Sequence, residues 1–173
     1  MKAMVIIESW FGNTKAIADE IARVLNARGM QPQVIDIQDA PSAVPTDVGL
    51  LVIGAPTHNR SLSTAATREK AAAGKASGTS SAEEDRAGKV RRGVREWLGD
   101  TAISDGLRIA VFDTVTGKNW LSGSAAKAAA KMLRSRFPEA AVDVRSFVVR
   151  ATAGPLADGE IEAAHQWGEE LAR

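Results

Sequence analysis

Residues 8–15, ESWFGNTK, gather Ser9, Asn13 and Thr14 around Gly12. Short hydroxyl and carboxamide side chains beside a glycine that permits a tight turn suit an anion. Where a helix starts, its first N–H groups have no partner inside the helix and its dipole favours negative charge. A phosphate there would be met by amides and hydroxyls without an arginine clamp, with Lys15 pointing to solvent. The same residues have a structural alternative, in which Asn13 or Thr14 simply caps the helix. Three other uses of such a loop fail. A dinucleotide fingerprint needs three spaced glycines and only Gly12 is present. A nucleotide P-loop ends in Gly-Lys-Ser/Thr, whereas the Gly-Lys pairs at 74–75, 88–89 and 117–118 are followed by Ala76, Val90 and Asn119. A phospho-accepting receiver domain is expected to end its third strand in an Asp, and here that strand ends Ile53-Gly54-Ala55. The chain has no cysteine and only two histidines, His58 and His165. Thiolate nucleophiles, disulfides and Cys-ligated zinc or iron–sulfur centres are therefore excluded.

The elements that must position this loop follow from hydrophobic pattern. Residues 3–7 (AMVII) and 48–53 (VGLLVI) are apolar without alternation, as strands covered on both faces of a parallel sheet are. Ile17, Ile21, Val24 and Leu25 recur at helical spacing before Gly29, which predicts a helix over about 13–28. Residues 33–37, 107–112 and 142–149 read as further strands. Helices are predicted around Val90, Val94, Trp97 and Leu98, from about 124 to 136, and at the end of the chain with Ile161, Ala164, Gly168 and Leu171 facing the sheet. The alternation implies one open α/β sheet with helices on both faces, because parallel strands need crossovers of about a dozen residues. In such sheets ligands bind outside the carboxyl ends of the strands, so the loops after strands one, three and four are the ones to read.

After strand three comes Gly54-Ala55-Pro56-Thr57-His58-Asn59, and after strand four Phe112-Asp113-Thr114, then Trp120-Leu121-Ser122-Gly123-Ser124-Ala125. The first loop, Ser9-Trp10-Phe11-Gly12-Asn13-Thr14, resembles the phosphate-binding loop of the flavodoxin family: a Ser or Thr, two further positions, then Gly-Asn-Thr leading into helix one. The other two are similar to that family's flavin-contacting loops. The resemblance covers most of the chain apart from residues 71–88. It implies a flavodoxin-like doubly wound three-layer sandwich, its five parallel strands in the order 2-1-3-4-5. It also implies a non-covalently held FMN, with cofactor-binding residues Ser9, Trp10, Phe11, Gly12, Asn13, Thr14, Pro56, Thr57, His58, Asn59, Asp113, Thr114, Trp120 and Gly123. The phosphate would lie in the first loop and the isoalloxazine ring between the second and third. Pro56 fixes the course of the second loop. His58 reads either as an exposed loop side chain or as a flavin contact, and Asp113 as a partner of ribityl hydroxyls or as the strand's end. Trp120 is the aromatic best placed to stack on the ring, the alternative being cover for the sheet edge. Trp10 could form a rim of the site, while Trp97 and Trp167 read as packing.

With 173 residues, 45% hydrophobic and 25% charged, the chain is expected to form a single domain around one core. No apolar run is long enough for a transmembrane helix, and the N-terminal MKAMVIIESW reads as a first strand, not a cleaved signal, so a cytoplasmic protein is expected. A net charge of +1 gives no argument for nucleic acid or an anionic membrane. Residues 60–95 nevertheless carry nine Lys/Arg against four Asp/Glu, and residues 71–88 lack any large apolar side chain. A flexible insertion is expected there, its charge serving either as a solvated face or as a docking surface for an acidic partner. The chain departs from the acidic rim and paired ring-covering aromatics of many flavodoxins, and has no Tyr. The resemblance implies electron transfer between a donor and an acceptor, which is a redox partner protein or a small molecule. Two alternatives stay open: a small FMN-dependent oxidoreductase acting on a quinone or porphyrin-like substrate, and a binding or regulatory module of the same fold without redox activity.

Overall fold

A computed structural model of the chain describes residues 1–75, 92–117 and 123–173. Five strands form one parallel sheet: β1 (Lys2–Ile7), β2 (Gln31–Asp36), β3 (Val48–Pro56), β4 (Arg108–Val115) and β5 (Val142–Val148), in the order β2-β1-β3-β4-β5. The expected strand order is the observed one. Helices α1 (Asn13–Ala27), α2 (Ala65–Lys75), α3 (Val94–Asp100), α4 (Ala125–Arg136) and α5 (Glu160–Leu171) connect and cover it.

The side-chain period of two along each central strand divides the core into two layers. Ala3, Val5, Ile7, Leu50, Val52, Ala110 and Phe112 point to the face covered by α1 and α5, where Ile17, Ile21, Leu25, Ala164, Trp167 and Leu171 meet them. Met4, Ile6, Leu51, Ile53, Ile109 and Val111 point to the other face, against Val94, Trp97 and Leu98 of α3 and Ala126, Ala129, Ala130 and Leu133 of α4. Both faces being covered is why these strands are uninterruptedly apolar. Gly54 is required by close approach: a Cβ there would lie 2.3 Å from the Phe112 ring.

Several boundaries differ from those read in the sequence. Strands β3 and β4 run on to Pro56 and Val115, so Asp113 and Thr114 belong to β4 itself, with their side chains fixed by the pleat. Strand β2 is shifted to 31–36. Helix α3 begins at Val94, and Val90 lies outside the described residues. On α5, Ile161 is 43% exposed and Trp167 takes the sheet-facing place expected for it, ringed by Phe112 and Phe147 at centroid distances of 6.2 and 6.1 Å. Helix α2 was not legible as a helix. Among its described side chains the buried one is Arg68, so the apolar periodicity that marks a helix is missing. Residues 71–75 of the expected insertion are the end of α2, and 76–88 lie outside the described residues.

Candidate functional site

The loops after β1, β3 and β4 meet at the carboxyl end of the sheet. Helix α1 is entered through Gly12, in the left-handed region at φ 85°, a conformation that glycine adopts at no steric cost. Because the N-cap residue is a glycine, no side chain caps the helix from that position. The alternative in which Asn13 or Thr14 is the cap therefore does not describe this turn. Ser9 Oγ accepts the Lys15 N–H at 3.3 Å, and Ala16 N–H bonds the Gly12 carbonyl. Among the described residues no acceptor meets the N–H groups of Asn13 and Thr14, and no acidic residue stands in the first turn.

The side chains of Asn13 and Thr14 turn to neighbouring elements. Asn13 Nδ2 donates to the Ala153 carbonyl at 3.2 Å, in the loop after β5. Gly154, at φ 99°, packs against the same carboxamide so closely that a Cβ would lie 2.6 Å from it. Thr14 is buried, its Oγ1 3.1 Å from Thr114 Oγ1 at the end of β4. Trp10 is 9% exposed, with its indole N–H on Glu8 Oε1 at 3.0 Å; its side chain is largely packed in. Phe11 is half-buried.

After β3, Thr57 N–H bonds the Thr114 carbonyl at 3.0 Å. Residues 58–61 then close a tight turn, His58 and Ser61 exchanging backbone hydrogen bonds across Asn59 (φ 45°) and Arg60 (φ 69°). Positive φ at both central positions is the geometry of a type I′ turn, at which Asn is tolerated and Arg is uncommon. Burial pushes the His58 imidazole below its ordinary pKa, against the pull of Glu8 upwards and with a push from Arg68 downwards, so the ring is neutral at neutral pH. Gly123, at φ 68°, lies on the backbone of Arg60, where a Cβ would come within 2.2 Å of the carbonyl oxygen, and Ser124 N–H donates to that carbonyl. Trp120 lies outside the described residues.

Asp113 is fully buried and ties these loops together. Its Oδ2 accepts from Thr57 Oγ1 (2.9 Å), Ser124 Oγ (2.7 Å) and Ala126 N–H (3.0 Å), while Thr57 Oγ1 accepts from Ala125 N–H (2.9 Å). Its Oδ1 is buried without a partner among the described residues. The carboxylate thus serves the start of α4, where the dipole favours it. Glu8, buried at the end of β1, serves α3 in the same way: its Oε2 accepts the Val94 N–H at 3.0 Å. Glu96 reaches back to the Gly93 N–H at 2.8 Å and pairs with the buried Arg68 at 3.1 Å.

The sequence reading missed Glu8, Arg68 and the loop after β5. A carboxylate flush against a strand buried on both faces marks Glu8 in retrospect, and Gly154-Pro155 marks the loop. Nothing local marks Arg68.

No protein-family model matches the chain, and no curated protein sequence matches it. Solved structures do. Oxidised flavodoxin 1 from Bacillus cereus superposes with a TM-score of 0.65 at 22% identity, covering 99% of this chain and 97% of that one. Flavodoxin 2 from Bacillus cereus gives 0.65 at 15% identity, covering 99% and 98%. The two-electron reduced flavodoxin of Megasphaera elsdenii gives 0.56 at 18% identity, covering 98% of each chain.

Proposed function

The chain has the flavodoxin-like fold, and from it we propose that the protein binds FMN and passes electrons between a donor and an acceptor. The observation that carries this reading is the state of α1. It starts at the ligand-binding end of the sheet with two N–H groups unpaired among the described residues and no carboxylate of its own, whereas α3 and α4 are each supplied with one. That is a site for an anion brought from outside, and a phosphomonoester suits it.

In this reading the phosphate is met by the Asn13 and Thr14 N–H groups and by the Ser9 hydroxyl, whose proton is not engaged by the bond it accepts from Lys15. Gly12 gives the turn its direction. Asp113 and Thr57 hold the loops after β3 and β4 in one arrangement against the ring, and Pro56, Asn59 and Gly123 shape their course. The neutral His58 adds no positive charge beside the ring. Bound FMN would supply reversible uptake of electrons, and the chain supplies binding, orientation and exclusion of water. Two of the similar structures are described as an oxidised and a two-electron reduced flavodoxin, which supports a redox use of this fold. The partner is a redox protein or a small-molecule acceptor.

Gently purified protein is expected to show the visible absorption of oxidised flavin, to bleach reversibly with a reductant, and after stripping to bind FMN more tightly than riboflavin. A colourless protein that fails to take up FMN would overturn the reading.

A further inference from the structure

From residue 114 to residue 138 the sequence holds five Lys/Arg and no Asp or Glu. Three of the five, Lys127, Lys131 and Arg134, stand on one exposed face of α4, opposite the buried Ala126, Ala129, Ala130 and Leu133. Among the described residues none of the three pairs with a carboxylate, and Arg134 and Arg136 donate to the Val142 and Leu98 carbonyls instead. Helix α1 is the contrast: Lys15 meets Asp19 at 2.6 Å, Arg23 meets Glu20 at 2.6 Å, and Arg28 beyond the helix end pairs with Glu169.

The face works against the helix that carries it. Like charges three and four residues apart repel. Lys127 is the third residue of α4, and its N–H is accepted by the Ser124 cap at 3.0 Å. An acidic side chain there would complete a capping box and suit the dipole; a lysine does neither. The result is an uncompensated cationic strip about 10 Å long. It begins at the candidate site, because Thr57 holds the Ala125 N–H, Asp113 holds the Ala126 N–H, and the exposed Arg60 lies in the turn packed on Gly123.

We propose that this face of α4 is the docking surface of an acidic partner protein, which presents a row of Asp and Glu side chains and sits against the loops after β3 and β4. The exposed residues of the face, Lys127, Lys131, Arg134, Ser135 and Arg136, include no apolar or aromatic side chain of the kind that a membrane or unstacked bases engage. Complementary charge speeds encounter and fixes orientation more than it adds affinity, which suits a partner that must leave again. The sign is the reverse of the acidic rim of many flavodoxins. That the partner exchanges electrons with the site rests on the flavin reading; that it seats on α4 rests on charge.

The probes are cytochrome c, whose surface is basic, and the same protein with its lysines succinylated, whose surface is acidic. The succinylated probe is expected to move the amide NMR signals of residues 125–136, and its affinity to fall at least about tenfold between ionic strengths of about 0.02 and 0.2 M, while native cytochrome c leaves those signals in place. In Lys127→Glu/Lys131→Glu the affinity for the succinylated probe falls at least about tenfold and the thermal midpoint does not fall, since the capping box is completed. Lys2→Glu/Arg173→Glu makes the same change in net charge at the other end of the sheet and loses far less. With FMN bound and reduced, one electron per haem passes to the ferric probe and no atom is transferred; added salt should slow this step for the succinylated probe and speed it for the native one. Equal losses in the two double variants, signal changes confined to other elements, a rate with the succinylated probe that rises with salt, or tighter binding of a short DNA duplex or of anionic lipid vesicles at the same ionic strength overturns the proposal. Signals of α4 that move with the succinylated probe in a protein that takes up no FMN uphold the docking surface and overturn the flavin reading alone.

Discussion

Helices α1 and α4 both start at the carboxyl end of the sheet, each with the same surplus of N–H groups and the same dipole, and the chain finishes them in opposite ways. At α4 the buried Asp113, the Ser124 cap and the Thr57 hydroxyl take up the N–H groups of Ala125, Ala126 and Lys127. At α1 the cap is a glycine, Ser9 takes the Lys15 N–H, and Asn13 and Thr14 give their side chains to Ala153 and Thr114 while their N–H groups stay unpaired among the described residues. A buried carboxylate on a helix N-terminus is a strut: it satisfies the helix and leaves nothing for a ligand. A helix with neither carboxylate nor capping side chain is short of an anion, and the fold leaves that end for something not encoded in the chain.

The largest effect is expected from removing the strut. Asp113→Ala strands the Thr57 and Ser124 hydroxyls and the Ala126 N–H in a buried site, and should lower the unfolding free energy by about 3–4 kcal/mol, read from denaturant midpoints. Asp113→Asn keeps an acceptor and should lose less. The counterpart on α1 is Gly12→Ala. Among the described residues nothing lies within 4 Å of the added Cβ, so the cost expected is that of φ 85°, about 1–2 kcal/mol. An Asp113→Ala protein as stable as wild type would remove the distinction between the two helices.

Much of the fold was readable in the sequence because β1, β3 and β4 are covered on both faces, α1 buries an aliphatic stripe and α5 an apolar one of Ala164, Trp167 and Leu171; these are local patterns. Helix α2 was not readable because Arg68, paired with the half-exposed Glu96 on α3, occupies the buried position among its described side chains, and a buried arginine leaves no hydrophobic period. In the site, the composition of the first loop announced an anion. What each side chain touches was not legible. Thr14 and Thr114 are 100 residues apart, Asn13 and Ala153 are 140 apart, and no spacing rule connects them. Asp113 reads in the sequence as the polar end of a strand; only the register of β3 and β4 puts it beneath Thr57 and α4.

Away from both N-termini, the flank of α1 is fastened to α5. Glu20 accepts from Arg23 and lies 2.8 Å from His165 Nδ1, and these partners hold its carboxyl at about 2, well below its usual 4.5. A carboxyl depressed in the folded state contributes stability that is present above pH 4.5 and is lost as the pH falls towards 2. Denaturant midpoints measured from pH 5 to pH 2 should therefore fall more steeply in wild type than in Glu20→Gln. If α1 is a platform held from this side, Glu20→Gln should leave the ratio of FMN to riboflavin affinity unchanged at pH 7, whereas Gly12→Ala should lower it.

The smallest change in stability, and the sharpest test of the comparison, comes from making α1 resemble α4. Asn13→Asp places a carboxylate in the first turn of α1, where the dipole and the unpaired N–H groups favour it by about 0.3–1 kcal/mol. The lost Asn13 Nδ2 bond to Ala153 is exposed and offsets little of this. The apoprotein should therefore be slightly more stable at pH 7 and low salt, and the gain should vanish below the aspartate pKa. The same carboxylate repels a phosphate and occupies its donors, so FMN affinity should fall by one to two decades, corresponding to roughly 1.5–3 kcal/mol for a charge-assisted bond, while riboflavin affinity changes little. The two readouts move in opposite directions only if the N-terminus of α1 is an anion site left open by the chain. A variant that loses stability and binds FMN as wild type does would show that Asn13 is needed for packing against Ala153 and Gly154, and that the phosphate is held elsewhere.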